Sequence, residues 1–311
     1  MPTEEQLAWD ARVRQTAFDW LNQMTGGQQT TITWQDILKF KEMNPWGVVL
    51  ANRQRGIFKP KEMVGALSLK SSPPRNRNDR PFVYNDDYSE EGYLRYSEQA
   101  SQDEDNANVR RAYEHRLPMV YLKGIAEGIY RATFPIYVIG YDSKQRQYLI
   151  DVSGANPDTG RVDFQFAAKS EVGKSYVSRT VEVREHQRDF RALVMTAYRT
   201  TCAVCALKHG ELLDAAHVIG DREAGGIAAV KNGLALCKIH HSAFDSHVLG
   251  VDPDYTVHIR EDILHEIDGP MLKYGLQSHH GQRLRVVPEK TPERPQRELL
   301  AHRFEQFKAA V

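Results

Sequence analysis

All three cysteines of the 311-residue chain fall within one stretch, Cys202 and Cys205 as Cys-Ala-Val-Cys and Cys237 in Leu-Cys-Lys-Ile-His-His. A Cys-x-x-Cys knuckle presents two thiolates to one tetrahedral zinc, and a second short pair has to close the site. Cys237 and His240, spaced Cys-x-x-His, supply that pair. Two correctly spaced pairs favour a metal site over a chance set of inert buried cysteines. Four protein ligands leave no open position, so a structural Zn2+ is expected, with no chemistry of its own.

A second constellation is threaded between the halves of the first. His217 ends an apolar, strand-like run, a glycine-containing turn and Asn232 follow, and then come His241 and Asp245. His241 and Asp245 are four apart in a predicted helix and so share one face. Such a pair can hold one divalent metal from one side, with His217 facing it from the strand. A neutral imidazole is a suitable base near neutral pH, and a hard cation can supply several kcal/mol of Lewis-acid stabilisation.

From Arg199 to Ile259 these residues resemble the HNH nuclease module, the ββα-metal fold, in the branch that a Cys/His zinc stabilises. The resemblance implies that His217 is the general base, that Asn232 orients the loop and helps position that base, and that His241 binds a catalytic Mg2+ or Mn2+ with Asp245 as a further ligand. Many members carry Asp or His immediately before the base, where this chain has Ala216. Asp214 lies two residues earlier, expected on the same strand face and about 6.6 Å away. It can replace the missing acid through a bend or bulge, or be a surface aspartate without a role. Asp221 is a weaker candidate.

The elements that must position these residues can be read in outline. Residues 1–42 have helical periodicity, and Thr33 can cap a second helix, WQDILKF. Residues 43–170 alternate short β-type runs (WGVVL, PMVYLKG, FPIYVIG, QYLIDV) with Pro, Gly, Asn and Asp clusters, interrupted by one helical stretch, NANVRRAYEHR. That pattern predicts a mixed, mostly antiparallel sheet that curls towards a barrel. Residues 171–184 read as a linker. Residues 185–311 begin with a helix carrying Phe190, Leu193, Val194 and Tyr198 on one side, continue through the Cys/His module, and end in prolines and an amphipathic helix. The fold class is therefore α+β.

Composition narrows the partners. Lys and Arg total 41, as do Asp and Glu, so any nucleic-acid surface must be local. From Arg53 to Arg80 eight basic residues face two acidic ones, and Arg75, Arg77 and Arg80 lie among turn formers in SSPPRNRNDR. Such a loop suits phosphate contacts, or is simply a solvated surface. No run approaches the roughly 18 apolar residues of a membrane span, no signal peptide is evident, and the sparse cysteines suit the cytoplasm.

Five ordered segments in residues 55–140 resemble the SRA domains, modified-cytosine readers of the PUA-like barrel class. They are RGIFKPKEMVGAL, YNDDYSEEGYLRYS, DNANV, PMVYLKG and EGIYRATFPIYVIG. The resemblance implies a flipped cytosine held between Tyr84 and Tyr96, with Asp87 accepting from its exocyclic amine and Ser97 beside the pocket. Two aromatic faces and a carboxylate can restore the few kcal/mol that unstacking costs. Read by residue type alone, the same tyrosines are equally ordinary strand aromatics. Together the two resemblances imply a McrA-like, modification-dependent restriction endonuclease acting on duplex DNA with a modified cytosine. A double-strand break by single-site modules further implies a homodimer. The alternatives are an HNH nuclease indifferent to modification, a modified-DNA reader that does not cut, and an RNA-binding barrel protein.

Overall fold

The computed structural model describes residues 2–72, 87–89, 93–99, 103–152, 186–220, 223 and 226–310. Tyr84, the Arg75, Arg77 and Arg80 loop, the linker 171–184 and Asp221 lie outside the described residues, and for Asp87 only the backbone is described. The chain divides into two compact units, Met1–Glu185 and His186–Val311.

In the first unit, α1 (Glu4–Thr25) starts at a capping box of Thr3 and Gln6 and stops at Gly26, whose φ of 56° is the left-handed conformation that favours glycine. α2 (Trp34–Met43) starts at the expected Thr33 cap, reciprocated by Asp36. The strands β1 (Ile32–Thr33), β2 (Ile57–Phe58), β3 (Ser68–Lys70), β4 (Asp87–Tyr88), β5 (Leu94–Ser97), β6 (Met119–Ala126), β7 (Ile129–Asp142) and β8 (Gln147–Asp151) form one sheet, and α3 (Asp103–Glu114) lies between β5 and β6 in the chain. The sheet order is β2-β3-β6-β7-β8-β5-β4, with β1 also on β7. The β3–β6 pair is parallel and the other described pairs are antiparallel. β7 pairs with β6 up to Ile136 and with β8 from Tyr137, with a register shift between Val138 and Gly140. One long strand thus serves two half-sheets, and the sheet curls into a half-barrel.

The near-continuous apolar run of β6 has a packing reason. Val120 and Leu122 join a core with Val13, Leu21, Ile37 and Phe40 of α1 and α2, whereas Met119 and Tyr121 join a second core with Val109 and Ala112 of α3. A sheet covered on both faces selects apolar residues at successive positions. Gly65 is fixed by the same layer: a Cβ there would lie 2.8 Å from the Ala112 nitrogen. The run WGVVL, expected as a strand, is irregular. Val48 and Leu50 are buried, but Asn44 satisfies this backbone through its side chain, accepting from Val48 N (2.9 Å) and donating to Val48 O (2.9 Å).

The second unit begins with α4 (residues 186–197), followed by β9 (Leu213–His217), β10 (Gly233–Cys237), α5 (Lys238–Asp245), β11 (Leu249–Val251), β12 (Val257–Ile259), the short α6 (Glu261–Leu264) and α7 (Pro270–Gly275), and α8 (Arg297–Ala309). β9 and β10 form an antiparallel hairpin leading directly into α5, the ββα order expected from the sequence. One apolar core joins α4 (Phe190, Val194), the hairpin (Leu213, Leu234, Leu236), α5 (Phe244) and α8 (Leu300). The C-terminal helix docks closely, since a Cβ at Gly250 would lie 2.6 Å from the Phe307 ring. Among the described residues no helix is long and apolar enough to cross a membrane.

Candidate active site and metal centre

The ligand atoms of Cys202, Cys205, Cys237 and His240 all lie within 4.8 Å of one another. His240 Nδ1 is 3.0 Å from Cys237 Sγ and 3.5 Å from Cys202 Sγ. Tetrahedral zinc with its usual bond lengths needs ligand separations of about 3.5–3.8 Å, so the donor set fits that ion after small adjustments. The far ring nitrogen, Nε2, donates to Gly275 O at 2.8 Å, which leaves Nδ1 facing the sulfurs. Burial opposes charge on His240, but its contacts with the Cys205 and Cys237 sulfurs outweigh this and push the imidazole up to about 9. The Cys237 thiol is correspondingly held below its usual range by Cys202 and Cys205.

The hairpin joins this knot to a second site. Cys237 pairs with Leu213 at one end of the ladder, and Gly233 with His217 at the other. Gly233 is required there because a Cβ would lie 2.5 Å from Val194 and 3.0 Å from Phe190. Its bareness lets α4 settle onto the hairpin, and Phe190 stacks on the His217 ring with centroids 3.8 Å apart. On α5 the consecutive residues His240 and His241 diverge, the first into the Cys/His cluster and the second into a cleft.

That cleft, of about 550 Å³, is lined by His217, Asp214, His241, Asp245, Arg191 and Arg303, among others. The structure therefore brings His217 and His241 to one cavity. Asn232 is fully buried and does not line it. Its side chain accepts from Ile219 N and donates to Ile219 O and Ile227 O, each at 2.9 Å, and its carbonyl accepts from Val218 N. It thereby clamps both ends of the loop that leaves His217.

Along the regular β9–β10 ladder Asp214 and Ala216 alternate with Ala215; Ala216 is wholly buried in the core, while Asp214 lines the cleft. An acid at position 216 would point into apolar packing. Asp214 instead lies 3.6 Å from His241 Nδ1, while Asp245 lies 3.3 Å from His241 Nε2. A cation can use one ring nitrogen with one carboxylate, leaving the other carboxylate to orient the ring. Oxygen-rich donors of this kind suit Mg2+ or Mn2+. Asp214 is also ion-paired with Lys238 and approached by Arg191 Nη1 at 3.8 Å.

Of the residues in the suggested base pocket, Tyr96 is buried in the second core of the first unit, its hydroxyl donating to Lys70 O at 3.1 Å. Ser97 is exposed and accepts from Gln147 Nε2 at 3.3 Å. Asp87 pairs across the ladder with Arg95. The cleft also contains residues that sequence reasoning passed over. Phe190 was legible only as one apolar position of a helix. Arg191, Glu223 and Arg303 belong to no spacing pattern: the packing of α4 and α8 brings the two arginines to the site, and the loop after His217 brings Glu223.

Residues 202–252 match the HNH endonuclease family. No curated protein matches the chain. Among solved structures, the chain is similar to the modification-dependent restriction endonuclease TagI (16% identity, TM-score 0.29, covering 86% of this chain and 90% of that one). It is also similar to the type IV phosphorothioation-dependent restriction endonuclease ScoMcrA (12% identity, TM-score 0.25, covering 69% and 51%). Superpositions this loose carry no weight beside the family match and the geometry of the cleft. The C-terminal unit thus contains an HNH endonuclease segment, residues 202–252.

Proposed function

We propose that the chain is a modification-dependent DNA endonuclease whose cleavage centre is the cleft holding His217 and His241. The observation that carries this reading is their convergence, from a strand end and a helix, on one cavity inside the HNH segment. His217 accepts a proton from a water molecule as its oxygen forms a bond to phosphorus. The P–O3′ bond breaks, and the departing 3′ oxygen takes a proton from solvent. His241, with Asp214 and Asp245, would hold a divalent cation that compensates charge on the phosphate. Asn232 keeps the loop after the base in place. Zinc bound by Cys202, Cys205, Cys237 and His240 would fix the hairpin and α5 relative to each other. Asp214 beside His241 supplies a carboxylate that Ala216 does not, which favours a cutting enzyme over a degenerate reader.

Selection is assigned to the first unit, as an SRA-like, PUA-like barrel. The support is the order of its five motif segments along a curled, helix-flanked sheet. Tyr84, Tyr96, Asp87 and Ser97 would receive a flipped 5-methyl- or 5-hydroxymethylcytosine, and Arg75, Arg77 and Arg80 would contact backbone phosphates. A homodimer in the cytoplasm would place one site on each strand. The test is cleavage of otherwise identical duplexes with plain, methylated or hydroxymethylated cytosine, each with Mg2+, Mn2+ or no divalent ion. The reading expects metal-dependent cutting of modified duplexes only. Equal cutting of plain DNA would leave the nuclease and remove the modification dependence.

A further inference from the structure

We infer that Arg303, brought by α8 from outside the segment that defines the HNH family, contacts the scissile phosphate in the cleavage cleft. The inference rests on reading that cleft as the cleavage centre. Arg303 lines it together with His217, His241 and Asp245. Its guanidinium is held from behind: Nη2 donates to Phe244 O at 2.8 Å, Nη1 donates to Gln306 Oε1 at 3.1 Å, and the group sits 4.9 Å over the Phe244 ring. The last turn of α5, which also carries Asp245, therefore fixes the fork.

Charge balance gives the fork a direction. The cations nearest Asp214 are already matched, Lys238 by an ion pair and Arg191 at 3.8 Å. Arg303 is partly buried and forms no ion pair among the described residues, with the Asp245 and Glu223 carboxylates acting on it only at longer range. Partial removal of a guanidinium from water is costly, and an anion arriving in the cleft offsets that cost. Phosphate is one of the two anions, with carboxylate, whose geometry a guanidinium matches. The helix is also tied to the base loop, because Gln306 Nε2 donates to Glu223 Oε2 at 3.2 Å and Glu223 Oε1 accepts from Gly220 N at 3.3 Å. One helix thus spans from the loop after His217 to the end of the helix bearing His241.

The competing role is purely structural, a cap on the α5 carbonyls. The two are separated by mapping the cut in a duplex and replacing a non-bridging oxygen of that phosphate by methyl, which removes its charge. Arg303→Gln is expected to lower kcat by about 10²–10³-fold, as loss of one charge-stabilising donor does, with KM and zinc content little changed. The methyl substitution is expected to slow Arg303→Gln much less than the wild type. Arg303→Met, which keeps apolar packing on Phe244 and removes the charge, is read in the same way if the glutamine variant does not fold. Equal penalties from the methyl group in wild type and in the folded variant would overturn the inference while leaving the nuclease intact. A wild-type chain that cuts nothing would instead overturn the reading of the cleft, and this inference with it.

Discussion

The His217 imidazole lies flat on the ring of Phe190, with centroids 3.8 Å apart and planes 9° from parallel. Phe190 is almost wholly buried, so one face of the proposed base rests on a fixed surface. Replacing Phe190 by Leu keeps most of the apolar volume and removes the flat face. A stability loss of about 1.5 kcal/mol or less is expected from a near-volume-conserving core change. Cleavage should suffer more, with kcat down by roughly 10²-fold and KM little changed, since a misplacement of about 1 Å is that costly. Steady-state kinetics beside thermal melts check this; an unchanged kcat would relegate the stack to packing.

Asp214 bridges Lys238 and His241 at the cleft wall. Asp214→Asn keeps the shape and removes the charge. It is expected to raise the Mg2+ or Mn2+ concentration needed for half-maximal cutting by about 10–100-fold, the usual effect of disturbing a ligand's surroundings. A metal titration of single-turnover cleavage measures the shift, and an unaltered midpoint would exclude Asp214 from the metal site.

The proposed zinc site would supply fold rather than chemistry, because its four donors close on one another. Strong chelation, or Cys237→Ser, should unfold the second unit and leave the first unit's transition in place, as metal-binding free energy here is folding free energy. Calorimetry with zinc quantification reads this. A chelated chain that keeps both transitions would remove the ion from the structural account.

Asp252 gives the second unit an acid-sensitive turn. Its carboxylate accepts from Asp254 N and Thr256 N, each at 2.9 Å, and lies 3.0 Å from His258 Nε2. Burial opposes its charge, but these hydrogen bonds hold the carboxyl below its ordinary value. A depressed carboxyl stabilises the fold above its unfolded value, near 4, and that contribution is lost as pH falls through the folded value. Asp252→Asn should therefore lower the melting temperature at neutral pH and flatten its decline below pH 4. Melting curves from pH 7 to pH 3 test the slope.

Much of the site was legible because its chemistry is written in spacing. Two Cys/His pairs, a histidine at a strand end and a histidine–aspartate pair one helical turn apart specify the hairpin and α5. The long apolar runs of β6, β7 and β8 and the Thr33 cap were equally readable. WGVVL was not, because a single asparagine side chain replaces the ladder its composition suggested. Arg303 was the least legible, arriving from a distant helix whose docking no local pattern encodes.

The most direct test of the central claim compares wild-type and His217→Ala chains in a duplex-cleavage assay with Mg2+ or Mn2+, with DNA affinity and bound zinc measured on the same samples. The account expects cutting to fall by about 10²–10⁴-fold, the range attributed to a positioned base, with affinity and zinc unchanged. A His217→Ala chain that cuts at the wild-type rate would contradict it.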